Sequence, residues 1–411
     1  MKRRGDVMPA RISVHASWGT RRNACGDERG VSLIELMIAL GISAILVGGA
    51  YSMIYNSQQI QTINEQAVQA QQNGRTAMEL IAQDLKDAGF NAQSLAPPGI
   101  GTAGAAGTCG INGILPRDNN TGGADTGPDS VSMIVPTMLS TLLTPITGAV
   151  PTTDVVLQNG AVAAAGGDGF LVAPYDLPNP VISIAGFHTG TVTAVNTDTL
   201  SLSAQVKLPK EAIMPGNALG TGMQVYWLKC VMYKIIHASS NATTEQPLCG
   251  GTLPCLVRGT PPCLTTQTGP ACVAVVDGIE DLQLSYACDG CVGTEDGVID
   301  DQAGGTANAF DANDFVSNNA WNAGAFLPKT IRMVQVSVVA RQVGTTLGSE
   351  SVGGAKAQFS PVPLVVSPDH NHASGVFVAG DLGTAAAQGA YSQIMRRVLS
   401  RTVQLKNMGL F

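Results

Sequence analysis

The sequence predicts an α+β protein: a long N-terminal helix packed on an antiparallel, β-sheet-rich globular domain. Three observations carry that expectation. An apolar run from Val31 to about Tyr55 contains a single charge, Glu35. Apolar residues then recur in steps of three and four as far as Ala88, which is the period of one helical face. Beyond Pro128, short runs rich in Val, Ile, Leu and Thr are divided by Gly, Pro and Asn with no helical period between them, the pattern of antiparallel strands. One helix followed by strands packs as helix on sheet.

Residues 1–30 form a polar, basic leader with seven Lys or Arg against three Asp or Glu, closed by Gly30. Residues 31–55 are apolar all round and long enough to cross a bilayer. An acid inside such a span is costly, which makes Glu35 a functional candidate by default. The alternative is that Glu35 only snorkels to the interface from a site so near the helix end. An ordinary secretory signal has a shorter apolar core with its small-residue cleavage site after it. Here the small residue comes first. Ala44, Gly48, Gly49 and Ala50 could serve as a late cleavage site, but they leave the Gly30-to-Glu35 spacing unexplained.

Residues 56–90 continue the helix with one apolar stripe, Ile60, Ile63, Ala67, Ala70, Gly74, Ala77, Ile81, Leu85 and Ala88. Arg75 and Glu79 stand one turn apart and can pair. Gly89 is a good C-terminal cap. From Val31 to Gly89 the helix would measure about 90 Å at 1.5 Å per residue. A plain coiled coil would need a partner helix to cover the stripe.

The remaining residues, 91–411, form the globular domain. Asn91 to Pro128 reads as an irregular connection, rich in Gly, Ala, Pro, Asn and Asp. Strands are expected at Ser130–Val135, Asp154–Gln158, Gly169–Ala173, Val181–Ala185, Thr199–Val206, Gln224–Ile236, Val273–Val276, Ile279–Ala287 and Ile331–Arg341, with Arg397–Lys406 as the last. Nine cysteines occur. Cys25 lies in the leader, Cys109 stands apart, and Cys230, Cys249, Cys255, Cys263, Cys272, Cys288 and Cys291 crowd residues 230–291, read as cysteine-rich loops. In a translocated domain such crowding suits disulfide staples. Zinc is the rival, but Cys288–Cys291 is the only CxxC and the other spacings are irregular. Val292 after Cys291 excludes a haem-attachment motif.

A formal charge of −7, near −11 once residues 1–30 are set aside, argues against a nucleic-acid role. No Gly-x-Ser-x-Gly, HExxH or phosphate-binding loop is present, so no enzyme is expected. His188, His237, His370 and His372 are the only histidines after the leader, and the His370–His372 pair fits a polar surface loop better than a metal site. Asp289, Glu295, Asp296, Asp300 and Asp301 make an acidic, Gly-punctuated loop that could offer oxygen ligands to calcium, without the spacing of an EF-hand. No other cofactor is indicated.

The order basic leader, Gly30, Val31 and Glu35 fifth after the glycine resembles the class III signal of type IV pilins and pseudopilins. Val31 stands where Phe is usual, and no Pro occurs between Gly30 and Pro97. Three further stretches resemble the PilW-like minor pilins: Arg75–Phe90, Val276–Tyr286 and Arg396–Asn407. The resemblance implies that a prepilin peptidase cuts between Gly30 and Val31 and N-methylates Val31. It implies that Glu35 meets the terminal amine of a neighbouring subunit in the fibre. The implied role is a minor pilin that primes or caps a type IV pilus, held in the inner membrane by one span facing the periplasm and later carried on the cell-surface pilus. Other minor pilins, the major pilin, the assembly platform and a tip adhesin would be its partners. A large pseudopilin of a type II secretion system is the nearest alternative, and a membrane-tethered periplasmic enzyme is the alternative of another class.

Overall fold

A computed structural model describes residues 30–89, 114–117, 127–147, 152–158, 181–184, 188–196, 198–203, 205–206, 218–237, 246–250, 253–261, 263–264, 272–289, 297–299, 314–315, 330–342, 364–365, 376–377, 380, 388, 391 and 394–406. Helix α1 runs unbroken over Leu33–Asp87. Gly89 ends it at φ 74°, the left-handed geometry that only glycine takes freely, and its N–H donates to the Ile134 carbonyl at 3.2 Å. The chain divides into two compact units, one up to Gln58 and one from Gln59 onward. The first holds the apolar half of α1, where every described residue from Gly30 to Gln58 is exposed. The second holds the amphipathic half and all the strands.

The strands are β1 (Ile114–Arg117), β2 (Ser130–Thr141), β3 (Ile146–Thr147), β4 (Asp154–Val156), β5 (Val181–Ile184), β6 (His188–Asn196), β7 (Thr199–Leu202) and β8 (Ala218–Leu219). Then come β9 (Gln224–Ile236), β10 (Cys255–Gly259), β11 (Val273–Asp277), β12 (Ile279–Cys288), β13 (Ile331–Arg341), β14 (Leu364–Val365), β15 (Val376–Phe377) and β16 (Arg396–Gln404). Each pairing is antiparallel, as expected. The larger sheet runs β1-β2-β9-β5-β6-β7-β4, with β10 and β11 branching from β9; a smaller sheet runs β12-β13-β16. Asp129 stitches the two, its N–H donating to the Leu282 carbonyl and its carboxylate accepting from the Leu284 N–H, both at 2.8 Å.

Two cores result. The first takes Ala77, Met78, Ile81, Leu85 and Ala88 of α1 against Val131, Met133 and Tyr233 of the larger sheet and Leu282, Leu284, Val334, Val336, Val338 and Val403 of the smaller. The second gathers Leu142, Val155, Leu157, Ile182, Ile184, Val192, Leu200, Val225 and Trp227 at the other end of β2 and β9, the two longest strands of the larger sheet. Burying side chains of this size stabilises by roughly 1.5–3 kcal/mol each.

The expected strands stand within a few residues, with Gln224–Ile236 and Ile331–Arg341 at their expected bounds. Gly169–Ala173 lies outside the described residues. Two expectations need correction. Part of the supposed irregular connection, Ile114–Arg117, is strand β1 and pairs with β2. Within residues 230–291, read as cysteine-rich loops, Cys255–Gly259 is strand β10, which was not expected, whereas β9, β11 and β12 stand where strands were expected. Five residues suffice for a strand when neighbours supply the hydrogen bonds, as β9 and β11 do for β10.

Candidate assembly surface

The helix start comes first. Ser32 stands just before α1 and Glu35 at its third position, and the Ser32 N–H donates to Glu35 Oε2 at 3.3 Å. This is one half of a capping box, in which the acid reaches back to the residue that opens the helix. The Leu36 N–H closes the first turn on the Ser32 carbonyl at 3.1 Å. The acid also faces the positive end of the helix dipole. Glu35 is therefore held at the helix start, three residues after Ser32, four after Val31 and five after Gly30. A Cβ built on Gly30 meets nothing within 4 Å, so packing in this chain does not require a glycine there. The same holds for Gly41, Gly48 and Gly49 along the apolar half.

The second part is the seat of the helix on its sheets. At Gly74 a Cβ would stand 2.5 Å from Leu399 Cδ1 and 3.3 Å from the Ala340 Cβ, so the glycine lets α1 approach β13 and β16 closely. One residue earlier, Asn73 Nδ2 donates to the Asp277 carbonyl at 3.0 Å on the other flank. A cleft of about 350 Å³ follows that flank, between Gln69, Asn73 and Thr76 of α1 and Val275, Val276 and Asp277 of β11.

Charged groups lock both ends of this seat. Asp84 Oδ2 accepts from Tyr233 Oη at 2.6 Å and from Arg258 Nε at 2.7 Å, joining α1 to β9 and β10. Burial, reinforced by the Asp84 carboxylate and only partly opposed by Arg258, pushes the Tyr233 hydroxyl well above its usual range, so it stays a donor. For Arg258 burial works against the charge, but Asp84 and Tyr233 outweigh it and raise its pKa. At the other end Glu280, 1% exposed, receives Arg396 Nε at 2.5 Å and Arg341 Nη1 at 3.2 Å. Arg396 also donates to the Tyr391 and Ile394 carbonyls and lies over the Tyr391 ring at 4.3 Å. Burial lowers the pKa of His237, with the Glu280 charge pulling the other way. None of these groups was singled out in the sequence for a role. The available signal was Asp84 interrupting a buried stripe between Ile81 and Leu85, and Glu280 inside one of the family-like stretches.

Disulfides join Cys249 to Cys255 and Cys263 to Cys272, with Cα separations of 5.6 and 4.9 Å. Cys230 and Cys288 are also disulfide-bonded, while Cys109 and Cys291 lie outside the described residues. The two local bridges pack with Met232, Ile236 and Val257 into a small core of their own. Of the acidic loop, Glu295, Asp296, Asp300 and Asp301 lie outside the described residues. Asp289 Oδ1 accepts the Gly297 N–H at 3.2 Å, and its Oδ2 stands 3.6 Å from Arg332 Nη2. Its carboxylate thus faces donors of its own chain.

Residues 26–51 match the prokaryotic N-terminal methylation motif, and residues 236–407 match the family described as type IV pilus-assembly protein W. Over these two stretches the chain is PilW-like and type IV pilin-like. The matched PilW span takes in β12, β13 and β16, so the contacts among Glu280, Arg341 and Arg396 lie within it. A type IV-like pilin from Thermus thermophilus resembles this pilin at 11% identity, with 60% of this chain and 94% of that chain covered and a TM-score of 0.20. The comparison with curated proteins returned no match. The family and the helix-on-sheet fold are structural rather than enzymatic, and the role is that of a minor pilin with an apolar N-terminal helix suited to a membrane anchor.

Proposed function

We propose that this minor pilin primes or caps a type IV pilus by packing its apolar N-terminal helix among those of neighbouring subunits. A prepilin peptidase cuts between Gly30 and Val31, and Val31 carries the new, methylated amine. Before assembly a single span holds the chain in the inner membrane with the globular domain on the periplasmic side; afterwards it sits on the cell-surface pilus. Its partners are the peptidase, the assembly platform, the major pilin and other minor pilins, with a tip adhesin beyond them.

The observation that carries this reading is the Glu35 carboxylate held at the start of the otherwise uncharged, exposed apolar half of α1. A lone charge in hydrocarbon is heavily penalised, whereas one desolvated together with a neighbour's amine is compensated. Glu35 thus favours extraction of a subunit beside another and fixes their axial register. The test is the mature mass and the N-terminus of protein from peptidase-positive cells, followed by Glu35→Ala. The expected result is a chain beginning at methylated Val31, and a variant that is cut and inserted normally but depleted from sheared filaments. A cut near Ala50, or equal recovery of variant and wild type, overturns the proposal.

A further inference from the structure

We infer that Arg75, Arg397 and Arg401 form a docking patch for an acidic face of a neighbouring protein subunit. The inference rests on the minor-pilin role only for the identity of the neighbour as a fibre component. Register places the residues. Leu399 of β16 lies opposite Val338, Arg401 opposite Val336 and Arg397 opposite Ala340, so all three share the sheet face that carries α1. Gly74 touches Leu399 and Ala340 on that face. Asn73 and Thr76 line the flank of α1 toward β11, and at 100° per residue Arg75 takes the opposite flank, toward β16. Arg397 and Arg401 are about 13 Å apart along the strand, with the part-buried Leu399 between them.

All three arginines are exposed, and no ion pair reaches any of them among the described residues. The expected Arg75–Glu79 pair is likewise absent among those residues. Even counting the exposed Glu79, the flank keeps a net charge of +2 on a chain whose overall charge is −7. β16 is also an edge of its sheet in the described pairing, so the patch lies at a border that a neighbour can approach.

The chemistry favours carboxylates. Guanidinium forks match carboxylate geometry in pairs of parallel hydrogen bonds and hold their charge at any physiological pH. Three cations are fewer than the four to eight of a lipid-binding polybasic segment. A nucleic acid would have to lie against a chain that is acidic elsewhere. An acidic protein surface meets local attraction without that penalty, and charge complementarity of this kind sets orientation and partner choice more than raw affinity.

The test uses the full chain in detergent and a fluorescein-labelled deca-glutamate peptide, read by anisotropy at low and at near-physiological salt. The expected result is that R75Q/R397Q/R401Q weakens peptide binding about tenfold at low salt. K406Q, just past the end of β16 and outside the patch, leaves it unchanged. Arg→Lys at the three positions should restore part of the loss, because charge returns without the fork. Near-ultraviolet circular dichroism checks that the exposed substitutions leave the fold intact. Equal binding by wild type and triple variant overturns the inference. So does preferential capture of phosphatidylglycerol vesicles or duplex DNA over the peptide through the same three arginines. Because nothing in this assay requires a fibre, a failed pilus role and a failed docking patch give different results.

Discussion

Replacing Glu280 with Ala removes the anion from a site where little water is present to take over. Glu280 is 1% exposed, and the side chain of Arg396 beside it 3%. After the change Arg396 keeps two backbone carbonyls and the Tyr391 ring but loses its only carboxylate among the described residues, and Arg341 loses its contact at 3.2 Å. Breaking a buried pair by removing one partner costs about 3–5 kcal/mol, because an uncompensated charge remains. At about 2 °C per kcal/mol for a domain of this size, the midpoint of thermal unfolding should fall by roughly 6–10 °C. Scanning calorimetry on the detergent-solubilised chain measures it. A double variant, E280M/R396M, removes both buried charges and should be less damaged than E280A, since apolar replacement of a whole pair is often neutral. A loss below about 1 kcal/mol for E280A, or a double variant worse than the single, would refute the claim that charge compensation holds β16 in place.

Two further outcomes follow from the same surroundings. Each local disulfide closes a short loop and is worth about 2–2.5 kcal/mol of unfolded-state entropy in the chain-entropy model; reduction should therefore admit protease between Cys249 and Cys272 while leaving α1 and the smaller sheet resistant, as mass mapping of the fragments would show. His237 is held neutral by burial, so its contribution to stability is complete above its ordinary pKa near 6.5 and is lost as pH falls through the lowered folded value; H237N should flatten the decline in denaturant midpoint between pH 7 and pH 5, and an unchanged slope would remove His237 as its cause.

Much of the architecture was legible because its signals are local. The three-and-four spacing from Ile60 to Ala88 announced the helix, and Gly89 its end. The alternation in Ile331–Arg341 announced a central strand of the smaller sheet. The signals failed where partners, not residues, decide the outcome. Cys255–Gly259 is a strand because β9 and β11 flank it, and nothing in five residues containing Arg and Gly states that. His188–Asn196, with a glycine and five polar residues, is a strand on the same terms, paired with β5 and β7. The lock residues Asp84, Tyr233 and Arg258 are up to 174 positions apart, so no spacing rule could unite them. Glu35 was visible because its anomaly, one acid in an apolar run, is contained in a single turn.

The seat of α1 is completed by the end of the chain. Gly74 near the start meets Leu399 near the finish, and Val403 and Leu405 close the core over which Ile81 and Leu85 lie. A chain cut short before Arg396 keeps its apolar stripe but has nothing to cover this part of it. Such a chain would present the same membrane-suited N-terminal segment as an intact one, yet carry an open, greasy flank on its folded half. β16 is thus the last of the strands that cover the stripe, and without it the flank at Gly74 would stand open even though β12 and β13 cover the rest.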